Sequence, residues 1–344
     1  MKNRKKIKIS FSSALFGATL AALTLASLAG ADTTVLNGAG ATFPYPIYSK
    51  WFSEYRTVNA GVEINYQSIG SGGGIKQITA RTVDFGASDG PMTAKQVFAV
   101  DGKILHIPMV LGGVVPVFNL PGIAELRLTG DVIADIFLGK ITSWNDAAIQ
   151  NANPGVKLPA LAITVVHRSD GSGTSFCFTD YLSKVSKAWK KKVGSATAVN
   201  WPAGLGAKGN EGVTGLVKQT AGSIGYTELT YATQNSLSYA SVQNKAGNFV
   251  KADVDSVSAA AAGAEMPKDF RVSITNAAGG NAYPISTFTW ILVYESNTGG
   301  KGKILRDVLK WALTEGQPMA RELGYSPLPE VVKAMVLKAV EKIG

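Results

Sequence analysis

Apolar runs typical of β-strands alternate along the chain with segments of helical periodicity. The alternation is clearest over residues 62–69, 75–80 and 105–120. Later strand candidates cover residues 163–166 and 223–226, and helical patterns cover residues 176–185, 304–313 and 329–343. Strands that alternate with helices in this way predict an α/β fold with mostly parallel strands.

Two apolar runs, residues 107–120 and 284–294, are longer than the roughly 4 to 8 residues of a typical buried strand. We expect each run to pass from one lobe into another, the first leading out and the second leading back. The chain would then form lobe I from residues 32–116 with 286–344 and lobe II from residues 117–285. Two lobes joined by two crossings place a ligand cleft between them.

The first residues have the composition of an export signal. Five basic residues precede an apolar stretch over residues 9–28, which ends in the small residues Ala29-Gly30-Ala31. This order predicts a signal peptide over residues 1–31, cleaved after Ala31. The alternative is an uncleaved membrane anchor, since about 20 apolar residues can span a bilayer. Its Ser, Thr and Gly content argues against an anchor, and no Cys directly follows the apolar stretch to accept a lipid.

Removal of residues 1–31 lowers the formal net charge from +10 to +5, because that segment holds five basic and no acidic residues. A modest positive charge suits an anionic ligand or a partner at a membrane, and it is weak evidence for nucleic acid. The remaining chain is long enough for two medium domains. Cys177 is the only cysteine, so no internal disulfide can form, and its apolar neighbours predict a buried position.

Three loops rich in Gly, Ser and Thr, at residues 38–44, 70–74 and 170–174, each lead into a helical pattern. Thr42, Ser71 and Ser172 are natural N-cap residues, so capping alone explains any one loop. Three such loops together favour a further interpretation. Helix N-termini present unpaired N–H groups and a positive dipole end, so converging helix starts would form an oxyanion site.

Two charged groups refine this hypothesis. Arg168 follows an apolar strand, where strand ends in open α/β folds meet ligands, and Asp170 could orient its guanidinium on an oxyanion. The alternative is a surface ion pair.

Asp89 would repel an anion unless the ligand donates a proton to it, which monohydrogen phosphate can do near neutral pH and sulfate cannot. The alternative for Asp89 is a turn residue before Gly90-Pro91.

Four ordered motifs resemble the periplasmic phosphate-binding protein family. They are Gly-Ala-Gly-Ala-Thr-Phe-Pro (38–44), Val-Asp-Phe-Gly-Ala-Ser-Asp (83–89), Arg-Ser-Asp-Gly-Ser-Gly-Thr-Ser-Phe (168–176) and Ala-Lys-Gly-Asn-Glu-Gly-Val (207–213). The similarity covers essentially the whole mature chain. Small departures are Ala207 where the family usually has Gly, Gly72 where a second Ser is common, and His167 where a basic residue is common.

The resemblance implies a type II periplasmic binding protein fold of class α/β, with two lobes, each a mostly parallel sheet flanked by helices, joined by two crossing segments. It implies a soluble receptor that binds inorganic phosphate in the cleft and delivers it to the permease of an ABC transporter. The receptor would be periplasmic, monomeric, without a cofactor or lipid anchor, and without nucleic-acid partners. The implied phosphate-binding residues are Thr42, Phe43, Ser71, Asp89, Arg168, Asp170, Ser172, Gly173 and Thr174.

An enzyme acting on phosphate esters is the first competing class. His106 and His167 are the only histidines, and they are not spaced for a metal site with carboxylates. Ser172 lacks the Gly two residues before it that a nucleophile elbow needs, and the glycine loops do not match dinucleotide or P-loop templates. We therefore expect no catalytic activity. A surface adhesin or matrix protein of the same fold is the other alternative, and it requires the N-terminal segment to remain as an anchor.

Overall fold

The structure is a computed structural model that describes residues 33–297 and 299–344, so the predicted signal peptide and its cleavage site lie outside the described residues. The strands are β1 (Thr34–Gly40), β2 (Val62–Ser68), β3 (Phe85–Ser88), β4 (Ile104–Phe118), β5 (Arg127–Leu128), β6 (Thr164–Arg168), β7 (Leu205–Ala207), β8 (Ser223–Glu228), β9 (Ser238–Tyr239), β10 (Ser241–Gln243), β11 (Phe249–Val250) and β12 (Ser286–Tyr294).

The helices lie between and after these strands. They are α1 (Tyr45–Val58), α2 (Ser71–Thr79), α3 (Ala94–Phe98), α4 (Gly130–Phe137), α5 (Ala147–Ala152), α6 (Gly173–Val185), α7 (Lys187–Lys192), α8 (Gly209–Gln219), α9 (Leu229–Gln234), α10 (Val254–Ala261), α11 (Gly302–Leu313), α12 (Pro318–Glu322) and α13 (Glu330–Val340). The α/β class predicted from the alternating pattern is confirmed, and residues 75–80 fall largely in helix α2.

One large sheet organises the described chain, with strand order β2-β1-β3-β12-β4-β8-β6-β7 and β9 paired to β4. Its two outer parts are parallel, through the pairs β1–β2 and β1–β3 on one side and β6–β7 and β6–β8 on the other. The central strands β4 and β12 are antiparallel to each other and to their neighbours. A small sheet of order β11-β10-β5 completes the strands.

Strand β4 connects the two parts of the large sheet. Its first part, residues 104–113, pairs with β12, and its last part, residues 114–118, pairs with β8. All of its 15 residues except Leu105 are buried, which explains the unbroken apolar run, since a strand covered on both faces needs no polar alternation. The two long runs read from the sequence are therefore the central strands, with bounds shifted to Ile104–Phe118 and Ser286–Tyr294.

A shift in the β4–β12 register between Thr289 and Trp290 leaves Met109 as an extra residue, beside Pro108, which has no N–H to donate to the ladder. The Met109 carbonyl instead accepts a hydrogen bond from Gln317 Nε2 at 2.9 Å. The carbonyl of the extra residue therefore keeps a hydrogen-bond partner.

The core is rich in aromatic side chains, among them four tryptophans whose indole N–H groups are all paired. Trp51, Trp144, Trp189 and Trp290 are almost fully buried, and each indole N–H donates to a backbone carbonyl. Cys177 is buried and unpaired, as expected.

Residues 33–344 form one compact unit. No helix in the part of the chain that the structure describes is both long and apolar enough to span a membrane.

Helix capping differs in part from the sequence-based expectation. Ser172 is the N-cap of α6, and its Oγ accepts from Ser175 N at 3.0 Å. Thr42 and Ser71 do not cap their helices, because α1 begins after Pro44 and α2 begins after Gly70, and neither cap makes a side-chain bond. The hydroxyls of Thr42 and Ser71 are thereby left for contacts outside their own helices.

Candidate functional site

The three predicted loops meet where β1 and β3, in one parallel part of the sheet, and β6, in the other parallel part, end. Thr42 and Phe43 follow β1, Asp89 follows β3, and Arg168 is the last residue of β6. The starts of α2 and α6 lie beside these strand ends. Strands β1 and β3 run opposite to β6 in the sheet, so the carboxyl ends of its two parallel parts face each other, and ligand-binding groups gather at such strand ends.

A single hydroxyl joins the two sides of this cluster. Ser71 Oγ, from the start of α2, accepts from Gly173 N at 3.0 Å and from Asp89 N at 3.2 Å, and it lies 3.4 Å from Asp89 Oδ2. A Cβ on Gly173 would lie 2.5 Å from Ser71 Oγ and 2.6 Å from Asp89 N. Only glycine therefore permits α6 to approach this closely.

Asp89 is 1% exposed, and its carboxylate is held by hydroxyls. Thr289, from β12, donates to Asp89 Oδ1 at 2.8 Å, and Ser71 approaches Oδ2. Burial raises the pKa of Asp89 from 3.8 to about 7, although Thr289, Arg168 and Ser71 oppose the increase. A carboxyl group in this environment can either accept or carry a proton near neutral pH.

Arg168 supplies the positive charge of the cluster. Its Nε and Nη2 donate to the two oxygens of Asp170 at 2.7 and 2.6 Å, and Nη1 lies 3.4 Å from Thr174 Oγ1. Asp170 also accepts from Gly209 N at 3.0 Å. Burial opposes the ionisation of Asp170, but the Arg168 guanidinium and the Gly209 N–H hold its pKa below the ordinary value. The surface ion pair considered from the sequence is excluded, since Arg168 is 2% exposed.

Three consecutive carbonyls of the first loop each accept a tyrosine hydroxyl. Tyr66 donates to Ala41 O at 2.7 Å, Tyr231 to Thr42 O at 2.6 Å, and Tyr325 to Phe43 O at 2.7 Å. Burial raises the pKa of all three tyrosines, so each hydroxyl keeps its proton for donation. These bonds fix the peptide planes of the loop from three different parts of the chain.

Asn210, near the start of α8, is a fully buried member of the cluster that the site prediction did not include. Its Nδ2 donates to Thr42 Oγ1 at 2.7 Å and to Thr174 Oγ1 at 3.2 Å, and its Oδ1 accepts from Glu228 N at 3.0 Å. The sequence offered a signal, because Asn210 lies in the fourth motif, but that motif was given no role.

The structure brings the nine predicted site residues into one cluster, together with the unpredicted residues Asn210, Thr289, Tyr231 and Tyr325. Thr42, Phe43, Ser71, Asp89, Arg168, Ser172 and Thr174 are buried and Gly173 is buried with them, while Asp170 is partly exposed. The side chain of Ser172 caps α6 by accepting a hydrogen bond from Ser175 N. Among the described residues, no group of three or more His, Cys, Asp or Glu side chains is placed to hold a metal ion.

Comparison with known proteins identifies relatives of this chain. A family model described as PBP superfamily domain matches residues 27–315. A phosphate-binding protein PstS of Xylella fastidiosa is 52% identical over 299 residues, covering 86% of this chain and 81% of the relative. One from Pasteurella multocida is 51% identical over 302 residues, covering 86% of this chain and 87% of the relative.

A solved phosphate-binding protein from Stenotrophomonas maltophilia has the same fold, with a TM-score of 0.67 at 21% sequence identity over 89% of this chain and 93% of that one. The architecture is thus the type II periplasmic binding protein fold, and the chain is a binding protein of the PBP superfamily. Within that superfamily, it belongs to the phosphate-binding protein family that the two bacterial relatives represent.

Proposed function

We propose that this protein is an extracytoplasmic solute-binding protein that binds inorganic phosphate and delivers it to an ABC transporter for import. Its relatives are named phosphate-binding proteins, and the family assignment covers most of the chain. The observation that carries the proposal is the cluster itself, in which a buried Arg168, a buried Asp89 and the hydroxyls of Thr42, Ser71 and Thr174 lie together. A tetrahedral oxyanion needs this combination of one cation and several short donors.

The phosphate-binding residues are Thr42, Phe43, Ser71, Asp89, Arg168, Asp170, Ser172, Gly173 and Thr174. Arg168 contacts the phosphate through its guanidinium, while Asp170 holds that group in place through two bonds. Thr42, Ser71 and Thr174 donate hydroxyl protons, and the backbone N–H of Phe43 donates from the first loop. The start of α6 adds the donors and the positive helix end that favour an anion.

Asp89 selects phosphate over sulfate. At neutral pH phosphate carries a proton and sulfate does not, so only phosphate can donate a hydrogen bond to the carboxylate. The buried position of Asp89 makes the discrimination strong, because sulfate would place a second anion, without a proton to donate, beside a buried carboxylate. Sites that require one such bond reject analogues lacking it by about 10⁴ to 10⁵.

The site lies between two lobes, residues 32–116 with 286–344 and residues 117–285. In support, strand β4 changes partner from β12 to β8 after Gly113, close to the proposed boundary. Hydrogen bonds from Gly173 to Ser71 and from Asn210 to Thr42 join groups of the two proposed lobes. Such a pair of lobes closes around its ligand by hinge motion.

The protein works outside the inner membrane, beside the transporter that it supplies. It acts as a monomeric binding protein without catalysis or cofactor, and it contacts the permease subunits of the transporter and no nucleic acid. It is exported to the periplasm by residues 1–31, which are removed after Ala31 without a lipid anchor. The charge of +5 that remains suits capture of an anion.

Calorimetric titration of purified residues 32–344 with phosphate, with and without a large excess of sulfate, tests the proposal. We expect 1:1 binding that sulfate does not weaken. Absence of phosphate binding in protein freed of phosphate by unfolding, dialysis and refolding would overturn the function. A phosphatase assay on the same sample, with release of phosphate from an ester as the readout, tests the enzymatic alternative.

A further inference from the structure

Asn210 has a role that the phosphate-binding set does not include. Resting on the proposed function, we propose that Asn210 is a positioning residue that forces the hydroxyls of Thr42 and Thr174 to donate to the bound phosphate. It does so by filling the acceptor sites of both oxygens. It thereby sets the specificity of the site for an anion whose oxygens accept.

The orientation of the Asn210 amide is determined by its surroundings. Its Oδ1 lies 3.0 Å from Glu228 N, a backbone N–H that can only donate, so the oxygen must point towards Glu228. The Nδ2 group therefore points the other way, towards Thr42 Oγ1 and Thr174 Oγ1. The Nδ2 group carries two protons, so it donates one to each of the two hydroxyl oxygens.

The two hydroxyl oxygens also receive a second N–H each. Thr42 Oγ1 lies 3.3 Å from Asn210 N, and Thr174 Oγ1 lies 3.4 Å from Arg168 Nη1. A hydroxyl has two acceptor positions and one proton. With both positions directed at N–H groups, each hydroxyl proton must point away from Asn210 and Arg168. A phosphate oxygen beside the Arg168 guanidinium is the acceptor that the proposed site supplies.

The position of Asn210 is itself fixed by the charged pair of the site. Gly209 donates its N–H to Asp170 Oδ1 at 3.0 Å, and its φ of +73° is in the left-handed region that favours glycine. Asp170 therefore orients the guanidinium of Arg168 and the start of α8 at once. Because Thr42 belongs to proposed lobe I and Thr174 to proposed lobe II, one amide group orders donors on both sides of the cleft.

Three variants test this role by phosphate calorimetry at neutral pH. Asn210→Leu keeps the side-chain size and removes the amide, and we expect phosphate affinity to fall about 10- to 100-fold. Asn210→Asp keeps an acceptor for Glu228 N but turns a donor into an acceptor of the two hydroxyl protons, so we expect a loss above about 100-fold. Asn151→Leu, at an exposed position of α5, is the control and should bind like wild type.

The decisive measurement is a double-mutant cycle with Thr42→Val and Thr174→Val, which remove the hydroxyls. If Asn210 acts through them, Asn210→Leu should change affinity by less than about 3-fold in the Thr42→Val/Thr174→Val background. An equal loss in both backgrounds, or no loss in wild type, overturns the inference. If Asn210→Leu does not fold by circular dichroism, Asn210→Asp decides, and wild-type affinity in that variant overturns the inference. Failure of wild type itself to bind phosphate would instead overturn the proposed function.

Discussion

Removal of the Arg168 guanidinium is the perturbation with the largest expected effect on phosphate binding. The side chain is 1% exposed and its partner Asp170 is 13% exposed, so water screens the pair little. Arg168→Ala deletes two bonds to Asp170 and the contact with Thr174. It leaves the Asp170 carboxylate without its cation, next to the position proposed for a divalent anion.

The size of the expected loss in phosphate affinity follows from the burial of the Arg168–Asp170 pair. Truncation of one partner of a buried, hydrogen-bonded charge pair costs about 2 to 5 kcal/mol, because the other charge stays buried and unpaired. At about 1.4 kcal/mol per factor of ten, phosphate affinity should fall by roughly 30-fold to several thousand-fold. The double variant Arg168→Ala/Asp170→Ala should have a higher free energy of unfolding than Arg168→Ala, since it also removes the unpaired carboxylate.

Isothermal titration calorimetry with phosphate measures the loss, after circular dichroism has shown that each variant is folded. Arg127→Ala is the matched control, because Arg127 is exposed and packs over the Phe249 ring at 5.7 Å in the small sheet. The control should retain wild-type affinity. A loss below about 1 kcal/mol in Arg168→Ala would mean that the guanidinium does not contact the ligand, and the site assignment would then be wrong.

Three further predictions concern Asp89 and Tyr231. Asp89→Asn should weaken phosphate binding modestly but lose discrimination against sulfate, because the amide adds an N–H donor and removes a charge; complete sulfate exclusion in competition calorimetry would contradict this. The folded-state pKa of Asp89, about 7, lies above the ordinary 3.8, so between these pH values the phosphate-free native state holds a proton that the unfolded chain has lost. The free energy of unfolding should therefore fall as the pH rises from about 4 to 7. Urea unfolding should show this decline in wild type, by up to about 4 kcal/mol, and a flatter profile in Asp89→Asn; parallel profiles would refute it. Tyr231→Phe leaves the Thr42 carbonyl without its donor and should weaken phosphate binding about 5- to 100-fold, whereas Tyr239→Phe, as control, should not; equal affinities in calorimetry would count against it.

Local chemistry made much of this molecule predictable. The central strands were visible because burial on both faces removes polar alternation, as in the run from Ile104 to Phe118. Arg168 and Asp170 were predictable as a pair because they are two residues apart at a strand end. The three loops were recognisable from composition alone, since Gly, Ser and Thr before an apolar helix indicate exposed N–H donors.

Contacts between distant parts of the chain were not predictable in this way. Tyr231 contacts the Thr42 carbonyl across 189 positions, and Tyr325 contacts the Phe43 carbonyl across 282. A tyrosine that will hold a remote carbonyl has no local signature that distinguishes it from a core aromatic residue. Ser71 was misassigned as a helix cap for the same reason, because its hydroxyl is engaged by Gly173 from a different segment.

The central claim is that one phosphate ion is held between Asp89 and Arg168. A crystal structure of residues 32–344 grown with phosphate and an excess of sulfate tests it most directly. We expect a single tetrahedral anion in contact with an Asp89 carboxylate oxygen, the Arg168 guanidinium and the hydroxyls of Thr42 and Thr174, and phosphate identity confirmed by chemical assay of the washed crystals. An anion bound elsewhere, with Asp89 and Arg168 in contact only with protein groups, would contradict the account.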